Sequence, residues 1–116
     1  MLILVTGGAA SGKSEHAERL VCEKAQSRLY LATMQPFGKS AEARIARHRA
    51  LRAGKGFATV ERTLDLANLR LSQQYDGILL EDLGNLLANE LFAPEGAGAE
   101  SAFDSIVAGV DNLQKY

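Results

Sequence analysis

Apolar residues in this chain fall into short continuous runs, separated by stretches in which they recur every three or four positions. Residues 2–5 (LILV) form one such run just before a glycine pair and read as a buried strand. Residues 13–27 have helical spacing through Ala17, Leu20, Val21, Cys22 and Ala25, with Cys22 on the apolar side. Residues 28–33 read as a second strand through Leu29, Tyr30 and Leu31, and residues 40–53 as a helix that breaks at the glycines of 54–56. A third strand is expected over 57–61, and a helix over 64–74 with Leu64, Ala67 and Leu71 on one side. Residues 77–80 make a fourth buried strand, followed by an apolar helix over 83–92 and a Pro/Gly-rich surface loop, APEGAGA, over 93–99. The last stretch, 101–116, is an amphipathic helix with Phe103, Ile106, Val107, Val110 and Leu113. Strands that are apolar throughout and alternate with helices predict an α/β fold whose mostly parallel sheet is covered on both faces, a three-layer arrangement.

Composition narrows the class. At 116 residues, 47% apolar and 23% charged, residues 1–116 suit one soluble domain and exclude wholesale disorder. The net charge of −1 supplies no global field for nucleic acid or an anionic membrane. Cys22 is the one cysteine, so no internal disulfide forms, and the opening MLILVTGG is too short for a membrane span and lacks the basic flank of a leader. The expectation is a cytoplasmic protein. The neutral total hides an asymmetry: Lys39, Arg44, Arg47, Arg49, Arg52 and Lys55 gather around His48 against Glu42 alone, whereas from Glu81 onward seven acids face only Lys115. A short basic stretch fits either a local anion or a solvated cationic helix face.

Residues 7–14, GGAASGKS, fit G-x-x-x-x-G-K-[ST], with Gly7, Gly12, Lys13 and Ser14 in the fixed places. The motif follows an expected strand and opens an expected helix, which is the context a nucleoside-triphosphate loop requires. Glycines let consecutive N–H groups close on phosphate oxygens, and the helix adds the positive end of its dipole. Lys13 can reach the β- and γ-phosphates, and Ser14 can ligate Mg²⁺. The expected strand over 77–80 runs into Glu81 and Asp82, at the strand end where open parallel sheets bind ligands. Glu81 is assigned to the metal and Asp82 to capping the next helix. The loop by itself chooses neither ATP nor GTP.

Arg44, His48 and Arg52 are spaced i, i+4, i+8 and share one helical face. Neighbouring cations disfavour protonation of an imidazole, and a neutral imidazole among guanidinium groups can attack phosphorus. A merely solvated histidine is the competing reading. His16, in the first turn after the loop, is read as structural or phosphate-adjacent.

Taken in order, MLILVTGGAASGKS, YLATM, ARIARHRALR, FATVER and GILLEDLGNLLANELF resemble the bifunctional adenosylcobinamide kinase/adenosylcobinamide-phosphate guanylyltransferase family over nearly the whole chain. The RIxxHRxxR segment, Arg44 to Arg52, is the specific part. The resemblance implies a phosphate-loop NTPase-like fold and a histidine that becomes guanylylated, which falls on His48; Lys13 of the loop motif is the other catalytic residue, stabilising charge in the phosphoryl transfer. It implies nucleotide contacts from Gly7, Gly8, Ala9, Ala10, Ser11, Gly12, Lys13 and Ser14; from Ala32, Thr33 and Met34; from Arg49, Ala50, Leu51 and Arg52; and from Glu61 and Glu81. Ser14 and Glu81 would hold Mg²⁺, with GTP and ATP as substrates, adenosylcobinamide as the acceptor and a homotrimer as the assembly. Two features depart from the family pattern. Phe37-Gly38-Lys39-Ser40 stands where members carry an acidic patch, and members continue past the equivalent of Tyr116 with a further strand, a T-N-E-V-like segment and more helix. The expectation is therefore a shortened domain that lacks the family's C-terminal strands and keeps an unpaired sheet edge.

Two further readings stay open: another phosphate-loop small-metabolite kinase or NTPase without covalent histidine chemistry, and an inactive fragment that only binds nucleotide. A nucleic-acid or membrane module is disfavoured, because the basic run is short and has no interleaved aromatics.

Overall fold

A computed structural model of the chain describes residues 2–7, 12–34, 38–52 and 54–116, the side chains of 38–41, 48, 51 and 52 excepted. The elements are α1 (Lys13–Lys24), β1 (Arg28–Ala32), α2 (Gly38–Arg52), β2 (Phe57–Glu61), β3 (Gly77–Glu81), α3 (Leu83–Phe92) and α4 (Ala102–Leu113). A 3-10 turn at Leu66–Asn68 lies between β2 and β3. The strands form one parallel sheet in the order β2-β1-β3. Parallel neighbours require crossover connections, and each here carries helical or coiled chain back to the same end of the sheet.

Register fixes what each face presents, because successive side chains alternate and paired residues of parallel strands share a face. Arg28 pairs with Phe57 and Gly77, and at the other end Ala32 pairs with Glu61 and Glu81. One face therefore carries Leu29, Leu31, Ala58, Val60, Ile78 and Leu80. It closes on the core cluster of Leu31, Leu66, Leu69 and Leu86, with Leu71 and Leu83 and with Ile106 and Leu113 of α4 packed around it. The opposite face carries Tyr30, Ala32, Thr59, Glu61, Leu79 and Glu81, and α1 packs against β3 there.

Three expectations are corrected. Residues 2–5 form no strand: Leu2, Ile3 and Leu4 are 66%, 47% and 71% exposed. A run apolar on both sides is stable as a central strand only when neighbours and layers enclose it, and in the described sheet the central place is held by β1. The expected helix over 64–74 reduces to the 3-10 turn. Asp65 sits at φ 55°, and the carbonyls of Leu66 and Leu69 accept from the buried Asn112 amide at 3.0 and 2.8 Å. Tertiary hydrogen bonds thus take the place of helical ones. In α4 the expected face holds in part: Ile106 and Leu113 pack on the core, but Phe103 and Val107 are 74% and 45% exposed and the buried residues are Ala102, Gly109 and Asn112. Gly109 decides this, since a Cβ there would lie 2.6 Å from the Leu66 Cβ; only glycine lets α4 approach so closely.

Buried Glu90 of α3 ties this layer together. Its carboxylate accepts from the Asp65 and Ala97 amides and from the Ser105 hydroxyl, at 3.0–3.1 Å. Within α1 the buried residue is Glu18, paired with Lys55 at 3.0 Å, while Cys22 is half-buried. Among the described residues no helix is long and apolar enough to cross a membrane.

Candidate nucleotide site

Three strand ends bring the candidate residues together. Because β1, β2 and β3 run parallel and in register, Glu61, Ala32 and Glu81 form one row on the face opposite the apolar core. The small Ala32 side chain leaves an open floor between two carboxylates.

At one end of the row stands the start of α1. Gly12 caps the helix at φ 84°, a left-handed conformation that disfavours any side chain, and its carbonyl accepts from the His16 amide at 3.1 Å. This turn aims Ser14 at the sheet: its hydroxyl donates to Glu81 Oε1 at 2.5 Å. Glu81 Oε2 accepts from the Tyr30 hydroxyl, also at 2.5 Å. Lys13, the first residue of α1, is half-buried beside Ser14 in sequence. Asp82 caps α3, its carboxylate accepting from the Asn85 amide at 2.7 Å. The neighbouring acids thus have separate tasks, one in the site and one at a helix end.

At the other end of the row, Glu61 forms an ion pair with Arg49 of α2. Both are exposed, and a pocket of about 200 Å³ opens beside them, lined by Met34, Glu42, Ile45, Ala46, Arg49 and Glu61. Ala50 is exposed on the same helix.

The floor is held from below by α3. The Asn89 amide donates to the carbonyls of Thr33 and Thr63, at 2.7 and 2.9 Å, fixing the exits of β1 and β2 together. Buried Thr33 locks the exit of β3: its hydroxyl donates to the Asp82 carbonyl at 2.7 Å and accepts from the Asp82 amide at 2.8 Å.

The structure therefore unites Gly12, Ser14, Ala32, Thr33, Glu81 and, across the row, Met34, Arg49 and Glu61. Gly7 is described as irregular, exposed chain. Gly8, Ala9, Ala10 and Ser11 lie outside the described residues, as do the side chains of His48, Leu51 and Arg52, whose backbone belongs to α2. Sequence reasoning missed Tyr30 and Asn89. Tyr30 was legible in principle: two residues before Ala32, it shares that residue's face and so points to the site.

The donors at Ser14 and Glu81 suit a hard cation. Both are oxygen donors of the kind Mg²⁺ takes beside phosphates and water, and here they are hydrogen-bonded to each other at 2.5 Å. Among the described residues there is no cluster of three or more Asp, Glu, His or Cys that could hold a metal.

Comparison with known proteins places this geometry in context. The sequence model of the family described as cobinamide kinase / cobinamide phosphate guanyltransferase matches residues 3–116. The chain is 41% identical over 106 residues to the bifunctional adenosylcobalamin biosynthesis protein CobU of Salmonella typhimurium, covering 90% of this chain and 58% of that protein. Against the protein of the same name from Escherichia coli it is 43% identical over 94 residues, 79% of this chain and 51% of the relative. Against the bifunctional adenosylcobalamin biosynthesis protein CobP of Pseudomonas aeruginosa it is 42% identical over 80 residues, 68% and 46% respectively. The chain spans about half the length of these curated relatives. With the family match running through nearly all of its residues, the chain belongs to the cobinamide kinase / cobinamide phosphate guanyltransferase family.

Proposed function

We propose that this chain carries the nucleotide site of an adenosylcobinamide kinase and adenosylcobinamide-phosphate guanylyltransferase. The observation that carries the reading is the Ser14–Glu81 contact at the open end of a parallel sheet, directly behind a phosphate-loop motif. Family membership selects among the enzymes that such a site can serve.

In the kinase step, the aminopropanol hydroxyl of adenosylcobinamide attacks the γ-phosphorus of ATP or GTP. The bond to the β–γ bridging oxygen breaks, and the nucleoside diphosphate leaves. Lys13 and the amides at the start of α1 stabilise the charge that spreads over the transferred oxygens. Ser14 and Glu81 would hold Mg²⁺, which when bound neutralises charge on the phosphates. In the guanylyl step, an imidazole nitrogen of His48 attacks the α-phosphorus of GTP and pyrophosphate departs, leaving GMP on the histidine through a P–N bond. A phosphate oxygen of adenosylcobinamide-phosphate then displaces the imidazole and gives adenosylcobinamide-GDP. Splitting the transfer in this way lets one small site serve two acceptors. Arg49, with Ala50, Leu51 and Arg52 after it, Glu61, and Ala32 to Met34 contact the nucleotide, and the assembly is a homotrimer in the cytoplasm with no nucleic-acid partner.

Incubation with GTP labelled at the α-phosphate tests the reading. An acid-labile protein adduct is expected, absent from a His48→Ala chain. A folded, nucleotide-bound chain that forms no adduct would leave a nucleotide-binding protein without the covalent step; label retained in His48→Ala would move the step to another residue.

A further inference from the structure

We infer that the ion pair between Glu18 and Lys55 positions His48 for the guanylyl step, by fixing the end of α2 to the helix that follows the phosphate loop. The inference rests on the reading of His48 proposed above and extends it to two residues outside the nucleotide site. Helix α2, which carries His48, has little packing to hold it: every described side chain from Glu42 to Ala50 is exposed except half-buried Ile45. A helix without a buried apolar face takes its position from whatever ties its ends. One tie is the exposed Arg49–Glu61 pair. The other lies just beyond the helix, where Lys55 stands between two left-handed glycines, Gly54 and Gly56, at φ 79° and 77°.

Two contacts seat this turn on α1. The Arg28 guanidinium donates to the Lys55 carbonyl at 2.5 Å, and to the Ala25 and Cys22 carbonyls at the end of α1 at 2.8 and 3.0 Å. The Lys55 ammonium donates to Glu18 Oε2 at 3.0 Å. One point of attachment leaves a turn free to swivel; a second fixes its direction as well. Glu18 is 5% exposed, and its burial is costly unless a cation meets it. Because Glu18 and Lys13 share one helix, the pair sets the end of α2 relative to the phosphate loop. The kinase step draws its charge stabilisation from the start of α1. The guanylyl step must also bring an imidazole nitrogen from α2 to the α-phosphorus of GTP as pyrophosphate leaves. Glu18 and Lys55 act through His48 and touch no substrate, so they are positioning residues.

The test is the rate of adduct formation with GTP labelled at the α-phosphate, at saturating GTP and MgCl₂, on the wild-type chain, Lys55→Met and Lys55→Arg. Thermal melts establish that each chain is folded at the assay temperature. Lys55→Met keeps the aliphatic stem and loses the donor, and its rate constant is expected to fall about ten- to a hundredfold, the usual cost of a small displacement of a reacting group. A contribution to stability alone would lower the melt and leave the rate constant of the folded chain unchanged. Lys55→Arg, which keeps a cationic donor, should stay near the wild-type rate. The Glu18→Gln/Lys55→Met chain buries no unpaired carboxylate and should be as slow as Lys55→Met. If Lys55→Met does not melt cooperatively, this double variant carries the test. A wild-type rate in a folded Lys55→Met chain or in the double variant, or equal slowing in Lys55→Arg, overturns the inference. A folded, nucleotide-bound wild-type chain that forms no adduct removes the reading of His48, and the inference with it.

Discussion

The two faces of the sheet are built from the same three strands and serve opposite ends. One turns Leu29, Leu31, Val60, Ile78 and Leu80 toward aliphatic side chains from three segments. The other turns Tyr30, Glu61 and Glu81 toward the starts and flanks of two helices, through hydroxyls and charges. A one-residue step along any strand crosses from stability to chemistry. Substitutions on the two faces should therefore fail in different ways.

The largest effect is expected in the core. Leu66→Ala removes a side chain that is 1% exposed, and should cost about 2–5 kcal/mol in urea denaturation. Any loss of nucleotide binding should follow only from the unfolded fraction. Gly109→Ala forces a Cβ against Leu66 and should destabilise by about 1–3 kcal/mol in the same assay. Across the sheet, Glu81→Gln keeps the shape but removes the charge from the hydrogen bonds to Ser14 and Tyr30, and should cost about 1.5 kcal/mol. Arg49→Ala breaks an exposed ion pair, so stability should change by less than about 1 kcal/mol, with a difference that fades in high salt. That variant opens one wall of the pocket, and its weakened hold on GTP should appear in calorimetry.

The smallest effect lies at the opposite end of the sheet. Amides of Ser27 and Gln26 donate to the Asp76 carboxylate and hold it below its ordinary value of 3.8. A lowered folded-state value stabilises the fold above the unfolded-state value, and the contribution is lost as pH falls through the folded-state value. Asp76→Asn should therefore lower the urea midpoint at neutral pH, and the gap to wild type should narrow as the pH falls below 3.8. A gap that is constant with pH would show that the carboxylate's charge is not what matters there.

Much of the fold was legible because β1 to β3 are short apolar runs bounded by turn residues, and because α3 opens on a capping aspartate. What was not legible depends on partners distant in sequence. The spacing of Leu64, Ala67 and Leu71 is genuinely helical, but the Asn112 amide, more than 40 residues away, claims the carbonyls that a helix would need. The inward face of α4 keeps Ile106 and Leu113 but is centred on Gly109 and Asn112, which leaves Phe103 and Val107 outside it. In the site, the Ser14 to Glu81 pairing followed from motif and strand end together. Tyr30 looked like one more strand residue, because its task depends on register with β3. The pairing of Arg49 with Glu61 joins two residues that the family resemblance had assigned separately to the nucleotide.

The central claim is that the strand-end face of this chain is a nucleoside-triphosphate site independent of the core behind it. Calorimetric titration with Mg²⁺ and a non-hydrolysable GTP analogue tests it most directly, on wild type, Lys13→Ala and Glu81→Gln chains that melt alike. The account predicts saturable binding by wild type and affinities at least about tenfold weaker in both variants. Equal affinity in all three, or no binding by a folded wild-type chain, would contradict it.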